Sequence, residues 1–138
     1  MREIKFRAWD KEDKRMIIDE QDFIPVKVTN KGVLKLNPHH KENFWEFIDE
    51  ERFEIMQYTG IKDKNGCEIY EGDILHCIFE DENYIVEWDE IGAGFLFHRI
   101  NNKKRTGGID YYEFEDICGS FGFEVIGNIY ENPELLEV

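Results

Sequence analysis

The sequence of 138 residues has no long uninterrupted apolar stretch. No run approaches the roughly 18 apolar residues of a membrane-spanning helix. Residues 1–5 are charged from the outset, unlike the apolar core of a secretory signal. We therefore expect a soluble cytoplasmic protein that does not contact a membrane.

Positive charge is also scarce. Lysine and arginine together number 17 against 31 aspartates and glutamates, which gives a formal net charge of −14. A field of this sign repels nucleic-acid phosphates, whose contacts supply most non-specific nucleic-acid affinity. Direct DNA binding is therefore disfavoured. The acidity serves either solubility alone or docking on a basic partner protein.

Cysteine occurs only three times, at Cys67, Cys77 and Cys118. An odd number of cysteines in a chain without a signal-like start indicates reduced thiols in a cytosolic protein. Cys77 and Cys118 are expected to act as small buried apolar residues.

Metal-ligand spacings of the Cys-x-x-Cys or His-x-x-x-His type are absent. His76 and Cys77 adjoin in a predicted strand and would point to opposite faces, so they cannot easily share a tetrahedral zinc ion with His98 or Cys118. A cysteine nucleophile would need a base and an oxyanion donor nearby, and the sequence indicates neither. We expect no metal, no cofactor and no enzymatic activity.

The sequence does contain enough apolar material for a core. Hydrophobic residues make up 41% of it, and phenylalanine alone occurs 11 times. At this length we predict a single domain over residues 1–138 that folds without a cofactor.

The chain is organised around residues 56–75, where three glycines mark changes of backbone direction between alternating polar and apolar residues. Residues 63–66, Asp-Lys-Asn-Gly, predict a tight turn, because Asn and Gly accept a positive φ. Residues 71–73, Glu-Gly-Asp, reverse the chain again. The structural motif comprises Gln57, Tyr58, Thr59, Gly60, Asp63, Asn65, Gly66, Tyr70, Gly72 and Asp73.

Alternating apolar residues predict antiparallel hairpins along most of the remaining chain. Residues 41–51 break this pattern, because their aromatic residues fall on one helical face, so we predict a short helix there. Asn132 and Pro133 predict a closing helical turn. The fold class we predict is mainly β, a small antiparallel barrel of SH3-like character with one or two short helices.

Paired carboxylates are candidates for acid/base chemistry. Among several pairs we favour Glu71 and Asp73, because their i, i+2 spacing beside Gly72 could place both on one side of a strand. In so acidic a chain most such pairs are solvated. Asp73 is alternatively expected to accept backbone N–H hydrogen bonds within its own turn.

A basic loop is the second candidate site. Lys103, Lys104 and Arg105 form the only concentrated basic patch, and Tyr111 and Tyr112 follow it closely. Aromatic and cationic side chains together suit the stacking and backbone contacts of single-stranded nucleic acid. Three cations in a chain of net charge −14 would bind nucleic acid only weakly.

The chain resembles the YopX family of phage and prophage proteins. The resemblance rests on MREIKFRAWD at residues 1–10, on MQYTG, DKNG and IYEGDI within residues 56–74, and on GNIYENPEL at residues 127–135. It spans the chain, and its central motif is long and specific. It implies a small, mostly β protein of bacterial viruses or their integrated remnants, located in the host cytoplasm, with no catalytic residues to transfer.

Two functional hypotheses follow from these observations. The first is a non-enzymatic phage or prophage protein that contacts an unidentified host or phage protein through its acidic surface. The alternative is a nucleic-acid accessory protein that binds single strands through residues 103–105 and the neighbouring aromatic residues. Exposed sheet edges and abundant aromatic residues favour self-association, so a homo-oligomer is a further alternative.

Overall fold

The structure is a computed structural model that describes residues 3–18, 26–37, 44–101, 104–105 and 107–137. The chain divides into two compact units, Met1–Tyr58 and Thr59–Val138. Strand β6 begins in the first unit and ends in the second. Within the described residues no helix has the length and apolar character needed to cross a membrane.

The first unit contains the predicted N-terminal hairpin. Strands β1 (Phe6–Asp10) and β2 (Arg15–Ile17) are antiparallel, with Ala8 opposite Ile17. The first residues of β6 (Phe53–Lys62) pair with the other edge of β1. The alternating pattern of β1 puts Ala8 into the core of this unit, where it is fully buried.

A second sheet in the first unit joins β3 (Val26–Thr29), β4 (Gly32–Asn37) and β5 (Phe44–Phe47) in that order. The hairpin between β3 and β4 turns at residues 30 and 31, as the sequence predicts, and the Thr29 hydroxyl donates to the carbonyl of Gly32 at 3.0 Å. The core of this unit consists of Ala8, Ile17, Val26, Val28, Val33 and Phe53.

The helix predicted over residues 41–51 is wrong for the residues that the structure describes. Residues 44–47 form strand β5, in which Trp45 lies opposite Leu36, and Glu50–Arg52 form a single 3-10 turn. Phenylalanine and tryptophan favour strands, and an open edge of β4 offers them backbone partners. Acidic residues at the carboxyl end would also have opposed a helix dipole. Residues 41–43 lie outside the described part of the chain.

The second unit is built on a five-stranded antiparallel sheet with the order β11-β10-β9-β8-β12. Its strands are β8 (Asp73–Cys77), β9 (Glu82–Asp89), β10 (Gly94–Asn101), β11 (Lys104–Arg105) and β12 (Phe123–Asn128). The end of β6 pairs with the short β7 (Glu68–Tyr70). The protein is mainly β with a curled antiparallel half-barrel sheet, so the predicted fold class is confirmed.

Alternation along the strands gives this sheet two apolar faces. On one face Leu75, Tyr84 and Phe97 join the larger core cluster of the unit. On the other face Ile74 and Ile85, which oppose each other in the ladder, pack with residues of the C-terminal segment. A strand residue therefore faces one core and its neighbour faces the other.

One α-helix, α1 (Tyr111–Cys118), covers the larger core, and the sequence pattern did not predict it. The side chain of Asp110 caps its amino end by accepting from the amide of Glu113 at 2.9 Å. Phe114 is fully buried and stacks on Phe97 with ring centroids 4.5 Å apart. The predicted helical turn at the carboxyl end is confirmed as a 3-10 turn, Pro133–Glu137.

The prediction of reduced thiols at Cys77 and Cys118 is wrong in this structure. Both residues are fully buried, as expected, but they form a disulfide between β8 and α1 with Cα atoms 5.6 Å apart. The pairing spans a sequence separation of 41 residues, so only the packing of helix on sheet brings the sulfur atoms together. Cys67 is exposed and lies outside the disulfide.

Candidate functional site

The turn at residues 63–66 is built around a buried carboxylate. Asp63 is 7% exposed, and its Oδ1 accepts from the amides of Asn65 at 2.9 Å and Cys67 at 2.8 Å. Its Oδ2 accepts from the amide of Val125 in β12 at 2.9 Å. Gly66 supplies the positive φ of 79° that the turn requires. This side chain therefore fixes the turn and joins it to another strand.

The residues before this turn also stabilise the pairing of backbone segments. The hydroxyl of Thr59 donates to the carbonyl of Ile69 at 2.8 Å, across the β6–β7 pair. Tyr58 is buried, Gln57 lies opposite Phe6 in the ladder, and Gly60 has a φ of 87°. These positions of the structural motif hold strands in register.

Asp73 has the structural role that the sequence allowed. It is 1% exposed, and its Oδ2 accepts from the amide of Tyr70 at 2.8 Å. Gly72, with a φ of 88°, donates to the carbonyl of Val86 and accepts from the amide of Ile129. The reversal at residues 71–73 therefore links three segments of the sheet.

Glu71 and Asp73 have different surroundings in the structure. Asp73 is committed to its turn, whereas Glu71 is half-buried and lies near Glu87 of β9. Burial, and to a lesser degree the charge of Glu87, raise the pKa of Glu71. The sequence did not indicate Glu87 as the neighbour, because the two residues meet only through strand pairing.

The motif segments at the two ends of the chain show the same use of polar side chains. The buried Asp10 accepts from the amides of Glu12 and Asp13 and forms a bidentate pair with Arg52, at 2.9 and 2.8 Å. The hydrogen bond from Arg52 lowers the pKa of Asp10.

Asn128 has the corresponding role near the carboxyl end. Its Oδ1 accepts from the amides of Tyr130 and Glu131, at 3.0 and 2.8 Å. A Cβ at Gly127 would lie 2.4 Å from Oδ1 of Asn132, so only glycine fits beside this turn.

The predicted basic site lies largely outside the described residues. Lys103 is not described, and for Lys104 and Arg105 only the strand β11 is. Tyr111 is half-buried against Phe97, and burial together with a hydrogen bond to Glu115 raises the pKa of Tyr111 to about 12. Tyr112 is 82% exposed on α1. The two tyrosines therefore do not present a common stacking face.

A cluster with metal-ligating atoms occurs at Cys77, Cys118 and Glu80, whose ligand atoms lie within 4.8 Å of one another. The disulfide uses both sulfur atoms, so they offer no thiolates for a metal or for nucleophilic chemistry. Among the described residues, no group of three metal-ligating atoms includes His76 or His98.

A group of exposed apolar side chains, which we call the aromatic tip, lies directly after the disulfide-bonded cysteines. It consists of Ile78, Phe79 and Phe121, which are 46%, 83% and 80% exposed. Cys77 opposes Phe123 in the β8–β12 ladder, and the amide of Ile78 donates to the carbonyl of Gly122 at 2.8 Å. Phe79 and Phe121 are the residues that directly adjoin this hydrogen bond, one on each segment, as the chain turns away from the sheet.

A hydrogen-bonded triad holds the segment that follows Phe79. The Tyr84 hydroxyl donates to Glu80 Oε1 at 2.5 Å, and Arg99 donates to that hydroxyl at 2.9 Å and to the other oxygen of Glu80. Burial raises the pKa of Tyr84, so its hydroxyl keeps the proton that it donates. Glu80 and Arg99 therefore neutralise each other beneath the tip.

A cavity of about 450 Å³, which we call the acidic groove, opens beside the same turn. Its polar wall carries the carboxylates of Asp81 and Glu82, and its apolar floor includes Ile126 and Leu135. His76 also lines the groove, with Nδ1 2.8 Å from Asn83 Oδ1 and Nε2 3.3 Å from Asp81 Oδ1. Sequence spacing gave no signal for this groove, because its walls come from four separate segments.

These observations define a class: a small, mainly β protein whose recognisable sequence motifs build turns and strand registers. A family model described as YopX protein matches residues 5–137, nearly the whole sequence, and the chain belongs to that family. The resemblance stated from the sequence is thereby confirmed.

A solved structure gives the same fold. The chain is similar to protein EF1440 from Enterococcus faecalis, whose crystal structure matches with a TM-score of 0.60 and 29% sequence identity. The match covers 99% of this chain and 100% of that chain. No curated protein matches the sequence.

Proposed function

We propose that this chain is a phage or prophage protein that binds a basic partner protein in the cytoplasm of the bacterial host and catalyses no reaction. The observation that carries the proposal is the exposure of Phe79 and Phe121 within a chain of net charge −14. Large apolar groups in water mark interaction surfaces, and charge of one sign selects partners of the other.

The polar residues of the motif have structural roles in turns, and this supports a function without catalysis. Asp63, Asp73 and Asn128 are buried and accept hydrogen bonds from backbone amides in their own turns. A carboxylate held in this way is committed to the fold, whereas a general acid or base must reach a substrate. The surface rather than the motif is therefore the region to test for function.

The experiment is affinity capture from a bacterial host lysate on the immobilised full chain, with an unrelated acidic protein of similar net charge as the control bait. We expect a basic protein that is retained on this chain alone at about 50 mM salt and released at about 500 mM, because screening weakens exposed charge pairs. A partner whose capture is insensitive to salt would rule out the charge-driven form.

Binding of single-stranded nucleic acid is the second candidate, supported by the exposure of Tyr112 near the basic residues 103–105. It predicts affinity for a labelled single strand at about 50 mM salt, lost when Lys103, Lys104 and Arg105 are replaced by alanine. Fluorescence polarisation measures both values. Absence of binding at that salt concentration eliminates this candidate.

A further inference from the structure

We infer that the aromatic tip and the acidic groove together form one docking site for a basic protein segment that carries a large apolar side chain. The inference rests on the proposed function and assigns it a location and a partner chemistry. The tip would receive the apolar side chain, and the groove would receive a flanking lysine or arginine.

The tip has the properties of an apolar anchor. Phe79 and Phe121 leave most of their ring surface in water although a fully buried core lies directly beneath them at Phe123 and Cys77. The two exposed rings belong to segments that a backbone hydrogen bond from Ile78 to Gly122 holds together, so they offer a larger local apolar area than scattered exposed residues do. Aromatic side chains of this kind dominate the energy of protein interfaces when a partner covers them.

The tip is also held in place before a partner arrives. The disulfide joins Cys77, two residues before Phe79, to Cys118, three residues before Phe121. The triad of Glu80, Tyr84 and Arg99 fixes the chain on the far side of Phe79. A site with both ends restrained loses little conformational entropy on binding.

The charges around the tip select a cationic partner. Residues 77–83 contain three carboxylates and residues 111–124 contain four, and neither segment contains a lysine or arginine. Among the described residues, two cations from other strands pair with carboxylates of these segments, Arg99 with Glu80 and Lys64 with Glu124 at 3.4 Å. This field repels phosphates, anionic membranes and a second copy of the same acidic surface.

The acidic groove matches the shape of a long basic side chain. Lysine and arginine have an apolar stem and a charged head. The stem would pack on Ile126 and Leu135, and the head would reach Asp81, whose carboxylate is 92% exposed. Phe79 of the tip and Asp81 of the groove lie two residues apart in the turn between β8 and β9, so we assign both contacts to one partner segment.

The test uses the full chain and two short synthetic peptides, one of Lys-Leu-Lys repeats and one in which serine replaces every leucine. Fluorescence anisotropy gives the affinities at low salt, and amide chemical shifts locate the bound peptide. We expect the leucine peptide to bind at least about tenfold more tightly than the serine peptide, with shifts concentrated at residues 78–82 and 117–122.

Matched variants separate the tip from the rest of the surface. The double variant Phe79→Ser, Phe121→Ser should weaken binding of the leucine peptide about tenfold or more. The double variant Asp81→Asn, Glu82→Gln should weaken the binding of both peptides. The control is Ile91→Ser with Glu90→Gln, which alters a fully exposed isoleucine and a carboxylate at the opposite end of β9. The control should leave both affinities within about twofold.

The outcomes distinguish this inference from the function on which it rests. If the peptides bind with salt dependence but the tip variants behave like the control, the location is wrong and the acidic interaction function stands. If neither peptide binds at low salt, the charge-driven function itself fails. A wild-type dimer that dissociates when Phe79 and Phe121 are replaced would overturn the inference by identifying a second copy as the occupant.

Discussion

Two regions of the second unit reverse the usual placement of residue types. At the turn of residues 63–66 a carboxylate, Asp63, is buried, whereas at the aromatic tip Phe79 and Phe121 are in water. The buried carboxylate is fully explained by the three backbone amides that it accepts. No interaction within the described structure explains the exposed rings in the same way. The comparison teaches that the recognisable motif builds the fold and that function is to be sought outside it.

The largest expected effect concerns the disulfide that adjoins the aromatic tip. Removing the disulfide with Cys77→Ala and Cys118→Ala should lower the free energy of unfolding by about 4 kcal/mol, because the bond closes a loop of 41 residues. Urea unfolding measures the change, and Cys67→Ala, at the exposed cysteine outside the disulfide, is the control. If three thiols react in the denatured, unreduced protein, the disulfide is not present.

The next effect isolates the buried carboxylate. Asp63→Ala should destabilise the protein by about 3 kcal/mol, because it leaves three backbone amides without their acceptor. Asp81→Asn, at a carboxylate that is 92% exposed, is the control and should change stability by less than about 0.5 kcal/mol. Equal effects of the two variants in denaturant unfolding would contradict the structural role of Asp63.

A smaller effect concerns the buried Asp10 in the first unit and depends on pH. Arg52 lowers the pKa of Asp10 in the folded protein. The ionised Asp10 carboxylate therefore stabilises the fold at pH values above its unfolded pKa of about 4. This stabilisation is lost as the pH falls through the pKa of Asp10 in the folded state. Arg52→Met should lower the free energy of unfolding at neutral pH and reduce this acid-side loss, because the Asp10 carboxylate loses its cationic partner.

The control for this pair is Lys11→Met, which removes the exposed contact to Glu54 at 3.2 Å. It should cost less than about 1 kcal/mol at any pH. Unfolding midpoints between about pH 2 and pH 7 measure both variants. An unchanged acid-side slope in Arg52→Met would show that Asp10 does not carry the pH dependence.

The smallest expected change in stability is that of replacing the exposed phenylalanines of the aromatic tip. Phe79→Ser with Phe121→Ser should change the free energy of unfolding by less than about 0.5 kcal/mol, because both rings are already in water. Phe123→Ala, two residues from Phe121 but fully buried, should cost about 3 to 5 kcal/mol. Thermal unfolding distinguishes them. A large loss at the tip would mean that the rings stabilise the fold.

Much of the fold could be predicted because it is encoded locally. Alternation identified the hairpin of β1 and β2, and the Asn-Gly turn at residues 65–66 fixed the end of β6. The helix over residues 41–51 failed because aromatic spacing there fits a helical face and a strand equally well. Residues 44–47 form a strand because the open edge of β4 offers them backbone hydrogen-bond partners.

The candidate site could be predicted only in part. The sequence identified Asp73 as a turn residue, which the structure confirms, but gave no means of pairing Glu71 with Glu87 or Cys77 with Cys118. Each of these pairs depends on the register of strands or on the docking of α1. The prediction of a single domain stays a prediction alongside the two compact units.

The sequence by itself determined the negative charge, the antiparallel hairpins and the family, because composition, alternation and turn residues act over short distances along the chain. Tertiary structure alone decided which side chains are buried and which meet. Cys77 and Cys118 lie 41 residues apart in sequence, and the segments of Phe79 and Phe121 are joined only by the pairing of β8 with β12 and the hydrogen bond from Ile78 to Gly122. Such contacts depend on distances through space, which spacing along a chain does not encode.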